Sequence, residues 1–68
     1  MSESVYKVVQ LVGTHPESWE QAARIALERA GKSLRDLRIA EVTQQDVVLE
    51  DGQVKAFRTR LNVSFKFE

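Results

Sequence analysis

The chain has 68 residues, 43% hydrophobic and 29% charged, which is the length of one small domain and the balance of a globular protein rather than a disordered one. Ten Lys and Arg offset ten Asp and Glu, so there is no bulk attraction to nucleic acid or an anionic membrane, and no apolar run approaches the roughly 20 residues of a membrane span. Without cysteine there are no disulfides, thiolate zinc sites or thiol catalysis, which leaves oligomerisation as the expected staple for so small a core.

Residues 1–4 are polar and lack the basic and apolar parts of a secretory leader, which predicts a cytoplasmic protein. Residues 5–12 are rich in β-branched side chains and bounded by Gly13-Thr14, predicting a first strand. Its two faces, Val5, Lys7, Val9, Leu11 and Tyr6, Val8, Gln10, Val12, are both mostly apolar, so both sides of the sheet are expected to be covered. Thr14 and Glu17 have capping-box spacing and Pro16 suits a first turn, predicting a helix from there to Ala30 with Gly31 as its C′ residue. Trp19, Ala22, Ala23, Ala26 and Ala30 form one stripe at helical spacing; its small side chains let a sheet approach closely, and Trp19 is expected to be core within it.

After a short connection at 34–37, residues 38–49 predict a long second strand and Glu50-Asp51-Gly52 a hairpin turn. From Phe57 the alternation is the cleanest in the chain: Phe57, Thr59, Leu61, Val63, Phe65 and Phe67 on one side, Arg58, Arg60, Asn62, Ser64 and Lys66 on the other. The apolar row should face the helix. The order is β-α-β-β, and placing the third strand between the other two makes every pair antiparallel. The expected fold is α+β: a single domain over residues 1–68 in which a three-stranded antiparallel sheet partly wraps one helix. One helix covers one face, so the other, with Ile39 or Ala40 and Val42 on the second strand, is left for self-association.

Catalytic chemistry has little to stand on. His15 reads as an exposed residue of the first helical turn, no nucleophile has an orienting partner, and the three glycines are isolated at element ends rather than gathered into a phosphate loop. A non-enzyme is expected. Glu17 and Glu20 are spaced to share a helical face, and oligomeric symmetry would gather Glu17 into an acidic ring suited to a cation; Asp46, Glu50 and Asp51 read as a solvated acidic stretch by the hairpin. Arg58, Arg60 and Lys66 lie on the non-core face of the third strand. They suggest an alternative, a structural or interaction module contacting an acidic partner through that basic face, although no aromatic side chains interleave with them as single-stranded nucleic acid would require.

The ordered set V-Y-K-V-V-Q-L-V-G-T, P-E-S-W-E-Q-A-A, A-E-V and L-N-V-S-F-K-F resembles the dodecin family over about residues 5–68. The resemblance implies a β-α-β-β subunit assembled as twelve copies into a hollow sphere. It also implies storage or quenching of paired flavins such as riboflavin and FMN, without catalysis. In the usual flavin pocket a tryptophan of the second strand stacks on the ring and a glutamine of the third strand bonds its polar edge. Aligned by A-E-V and V-S-F, those ligand-binding positions fall on Ile39 and Arg58, a branched aliphatic and a cation, which disfavours stacked flavin. The combination of S-W-E-Q-A-A, isoleucine and F-R-T-R-L resembles a divergent subgroup, the calcium dodecins, in which a cation takes the place of flavin. The expected function is therefore a homododecamer that binds, stores or sequesters a small ligand or a cation.

Overall fold

The computed structural model describes residues 3–66. It contains β1 (Tyr6–His15), α1 (Trp19–Ala30), β2 (Leu37–Glu50) and β3 (Gln53–Lys66). β3 lies between β1 and β2 and is antiparallel to both, the arrangement expected from the sequence. The alternation in β3 orients the sheet: Thr59, Leu61 and Val63 are each only 1% exposed beneath α1, with Phe57 and Phe65 half-buried at the ends of that row. Phe67 lies outside the described residues.

β1 is longer than the sequence predicts. It continues through Gly13, Thr14 and His15, which face Thr59, Arg58 and Phe57, so Thr14 is a strand residue rather than a helix cap. Ser18 caps α1 instead, its hydroxyl accepting from the Gln21 N–H at 3.0 Å. The capping box fails because strand pairing occupies the backbone of Thr14 before a helix can begin, and Glu17 therefore precedes the helix. Gly31 closes α1 in a right-handed conformation, φ −64° and ψ −17°, and its N–H donates to Leu27 O at 2.9 Å. The left-handed C′ residue expected there is absent because the chain continues into a further turn, in which the N–H groups of Ser33 and Leu34 reach Ala30 O.

Gly13 has more than a boundary role. A Cβ at this position would collide with the carbonyl of Ala22 and come within 3.1 Å of Ala26 Cβ, so the missing side chain is what lets α1 lie on β1. The alanine stripe completes the fit, with Ala22 fully buried and Ala30 8% exposed. At the other end of the sheet Asp51 and Gly52 both have positive φ, 53° and 76°, between the last pair Glu50 and Gln53. This is the two-residue Asp-Gly turn whose twist matches a β-ribbon.

The β2–β3 ribbon carries three irregularities, which leave Arg38, Thr43 and Lys55 as extra residues and bend the long strands. The subunit measures 55 × 20 × 14 Å with a radius of gyration of 14.2 Å. A compact chain of this length has a radius near ~11 Å. No helix among the described residues is long and apolar enough to cross a membrane.

Candidate functional site: the open face of the sheet

The sheet face opposite α1 is built from the even-numbered side of β3. Register sets the rows: Thr14, Arg58 and Asp46; Val12, Arg60 and Gln44; Gln10, Asn62 and Glu41; Val8, Ser64 and Ile39. Its two ends differ. One holds an ion pair, while the other is apolar and uncovered, with Ile39 68% and Val8 62% exposed.

At the polar end Arg58 donates through Nε and a terminal nitrogen to the two carboxylate oxygens of Asp46, each at 2.7 Å. The fork geometry of guanidinium and carboxylate makes this the strongest side-chain contact the chain can build there. The hydrogen bond from Arg58 is the main influence lowering the Asp46 pKa below its ordinary value; partial burial opposes it, and the charges of Arg58 and Arg60 reinforce it. Arg58 is shifted upward by the same pair. Arg60 donates to Gln10 Oε1 at 3.3 Å, and Gln10 donates onward to Asn62 Oδ1 at 3.5 Å. Two of the three cations of the basic face thus already have partners within the chain, and Lys66 stands beyond them at the end of β3.

Ile39 and Arg58 share this face but not one place on it. Ile39 faces Ser64, six residues along β3 from Arg58, which is about 20 Å at the usual strand rise. One subunit does not bring them together. Register also resolves the second strand: Ile39 is on the open face, whereas Ala40 and Val42, opposite Val63 and Leu61, are on the helix side. Ile39 borders a recess of about 210 Å³ shared with Leu27, Leu37, Arg38, Ala40 and Val63.

Glu17 sits between β1 and α1, exposed, with its N–H donating to His15 Nδ1 at 3.0 Å. It does not share a helical face with Glu20, whose carboxylate pairs with Arg24 at 3.1 Å. His15 is the last residue of β1 rather than part of a helical turn. Among the described residues of one chain no group of three or more His, Asp or Glu side chains is placed to hold a metal. Trp19, expected to be core, is the first residue of α1 and 36% exposed. Its ring meets Phe57 edge-on at 4.9 Å, and its indole N–H donates to Asp46 O at 3.0 Å.

Asp46, expected in a solvated acidic stretch by the hairpin, is instead half-buried and paired with Arg58. With a two-residue turn at Asp51-Gly52, uninterrupted pairing would place Asp46 opposite Phe57. The bulge at Lys55 shifts the register by one and delivers Asp46 to Arg58. An opposite-charge pair straddling a hairpin was the available signal; the bulge was not.

A single helix laid across a three-stranded antiparallel sheet, with the opposite face open, defines a small β-α-β-β protein of α+β class. The chain belongs to the dodecin family, whose model, Dodecin, matches residues 5–68. It is 48% identical over 63 residues to the calcium dodecin of Mycobacterium tuberculosis, spanning 93% of this chain and 89% of that protein. A crystal structure of that calcium dodecin, described as calcium chelating with a novel calcium-binding site, superposes with a TM-score of 0.86 at 46% identity, covering 96% of this chain and 93% of that one. The dodecin of Thermus thermophilus is 42% identical over 64 residues, spanning 94% of this chain and 93% of that protein. The dodecin of Streptomyces coelicolor superposes with a TM-score of 0.93 at 43% identity, covering 100% of this chain and 97% of that one.

Proposed function

We propose that residues 1–68 form one subunit of a noncatalytic homododecamer that binds, stores or sequesters a small ligand or cation in the cytoplasm. The observation that carries this is the unfinished state of a single chain. It exposes 5262 Å² of surface. A compact protein of 7.8 kDa exposes about 4400 Å². The excess is of the order of the ~800 Å² per partner that a standard interface covers. Val8, Val12 and Ile39 on the open face supply apolar surface for it.

For the ligand, the reading favours a cation over a stacked flavin. Ile39 offers no aromatic face, and the guanidinium fork of Arg58 is engaged by Asp46. Calcium takes six to eight oxygen ligands. The described residues of one chain gather no group of three or more carboxylate or imidazole side chains, so a calcium site would be shared between copies, with one Glu17 from each. The high identity to a calcium dodecin supports the same choice.

Analytical ultracentrifugation with calcium titration tests both parts. A twelve-chain species that binds calcium, weakened by Glu17→Gln, is expected. A stable monomer overturns the assembly. Strong quenching of riboflavin fluorescence without calcium binding overturns the ligand assignment.

A further inference from the structure

The tip of the β2–β3 ribbon projects past the start of α1. Trp19 opens the helix at the level of Phe57 and Asp46, so everything beyond that level lacks helical cover. There Val47, Leu49 and Val54 lie on the face that α1 covers elsewhere, and are 36%, 62% and 55% exposed. Glu50 at the tip is neutralised by Lys55 at 2.8 Å. Asp51 has no ion pair among the described residues, so the apolar tip carries one uncompensated negative charge.

Between α1 and the free edge of β1 there is a recess of about 500 Å³ lined by Leu11, Gly13, Ile25, Ala26 and Arg29, among others. Arg29 is exposed in the last helical turn and has no ion pair among the described residues. The recess is thus the counterpart of the tip: apolar walls with a lone cation. A chain cannot fill its own recess, because Gly13 pairs with Thr59, five residues along β3 from Val54, or about 17 Å.

We infer that the ribbon tip of one copy seats in the recess of a second copy, with Leu49 and Val54 against Leu11, Ile25 and Ala26, and the Asp51 carboxylate meeting the Arg29 guanidinium. Tip and recess are different surfaces, so the contact is heterologous and propagates head to tail until a ring closes. The inference rests on the self-assembly proposed above and specifies one of its interfaces.

Sedimentation velocity over a dilution series, with far-UV circular dichroism to confirm folding, tests it on the full chain. Arg29→Glu sets like charges together and should raise the dissociation concentration roughly tenfold. Asp51→Asn keeps a residue suited to positive φ, and adding it to Arg29→Glu should recover much of that loss. Leu49→Ser should also weaken assembly, while each variant keeps the wild-type dichroism. If the wild type assembles and Arg29→Glu and Leu49→Ser dissociate no more readily, this contact is overturned and the assembly stands. If Asp51→Asn worsens Arg29→Glu instead of relieving it, the Arg29–Asp51 pairing is overturned. A wild type that stays monomeric overturns both contact and assembly.

Discussion

Asp46 ties the two faces of the sheet together through Arg58 and Trp19: its carboxylate holds the Arg58 guanidinium on the open face while its carbonyl accepts the Trp19 indole N–H on the helix side. The bulges at Thr43 and Lys55 bracket this segment and set it one residue out of simple hairpin register. The Thr43 hydroxyl donates to Arg60 O at 3.2 Å, anchoring one end of the shifted window.

The pair makes stability depend on acid pH. Asp46 has a folded-state pKa lowered by Arg58, so its contribution is present above the ordinary value of 3.8 and is lost as pH falls through the lower folded value. Thermal melts taken from about pH 5 downward should show the wild type losing more stability than Asp46→Asn. Parallel curves for the two proteins would show that the pair adds nothing in solution.

Gly13→Ala should be among the most damaging single-methyl changes in the chain. The new Cβ collides with a helix carbonyl, which cannot rotate away as a side chain would. The expected loss is about 2–3 kcal/mol by urea denaturation, at the upper end for overpacking. An unchanged midpoint would mean that α1 lifts from β1 at little cost.

Trp19→Phe keeps an aromatic ring beside Phe57 but removes the donor to Asp46 O. A loss of about 1 kcal/mol is expected for that hydrogen bond, read by circular dichroism during denaturant unfolding. Thr59→Val is the companion change, since the buried Thr59 hydroxyl donates to Trp19 O at 2.9 Å; it should cost a similar amount, about 1 kcal/mol. Both together test whether the start of α1 is held by these two bonds.

If Ile39 and Arg58 set ligand choice, the double variant Ile39→Trp with Arg58→Gln should gain riboflavin binding. The added stacking and freed polar edge together should tighten it roughly tenfold or more, measured by fluorescence quenching of the assembled protein. Because the two positions are about 20 Å apart in one chain, the gain requires residues from more than one copy. No gain in a well-assembled variant would remove both positions from the ligand site.

Much of the architecture could be read directly from the residues. The alternation from Phe57 onward determined which face of β3 meets the helix, Asp51-Gly52 determined the hairpin, and the alanine stripe announced a close helix–sheet contact. These signals are local or periodic, and each depends on side-chain size, charge or backbone freedom over a few neighbouring residues. The order of motifs along the chain, from the first strand to L-N-V-S-F-K-F, was enough to place the family resemblance.

Tertiary structure alone decided where β1 gives way to α1, because pairing with Arg58 and Phe57 holds Thr14 and His15 in a strand that their capping pattern argued against. It also decided the partner of Arg58, since the bulge at Lys55 shifts residues 44–48 by one place against β3 and the bulge at Thr43 restores the register beyond them. A bulge is settled by the summed packing and hydrogen bonding of two strands, and no single residue type announces it. The same holds for the length of ribbon left uncovered past Trp19: composition shows apolar residues, but only the position of the helix on the sheet shows which of them a lone chain leaves bare.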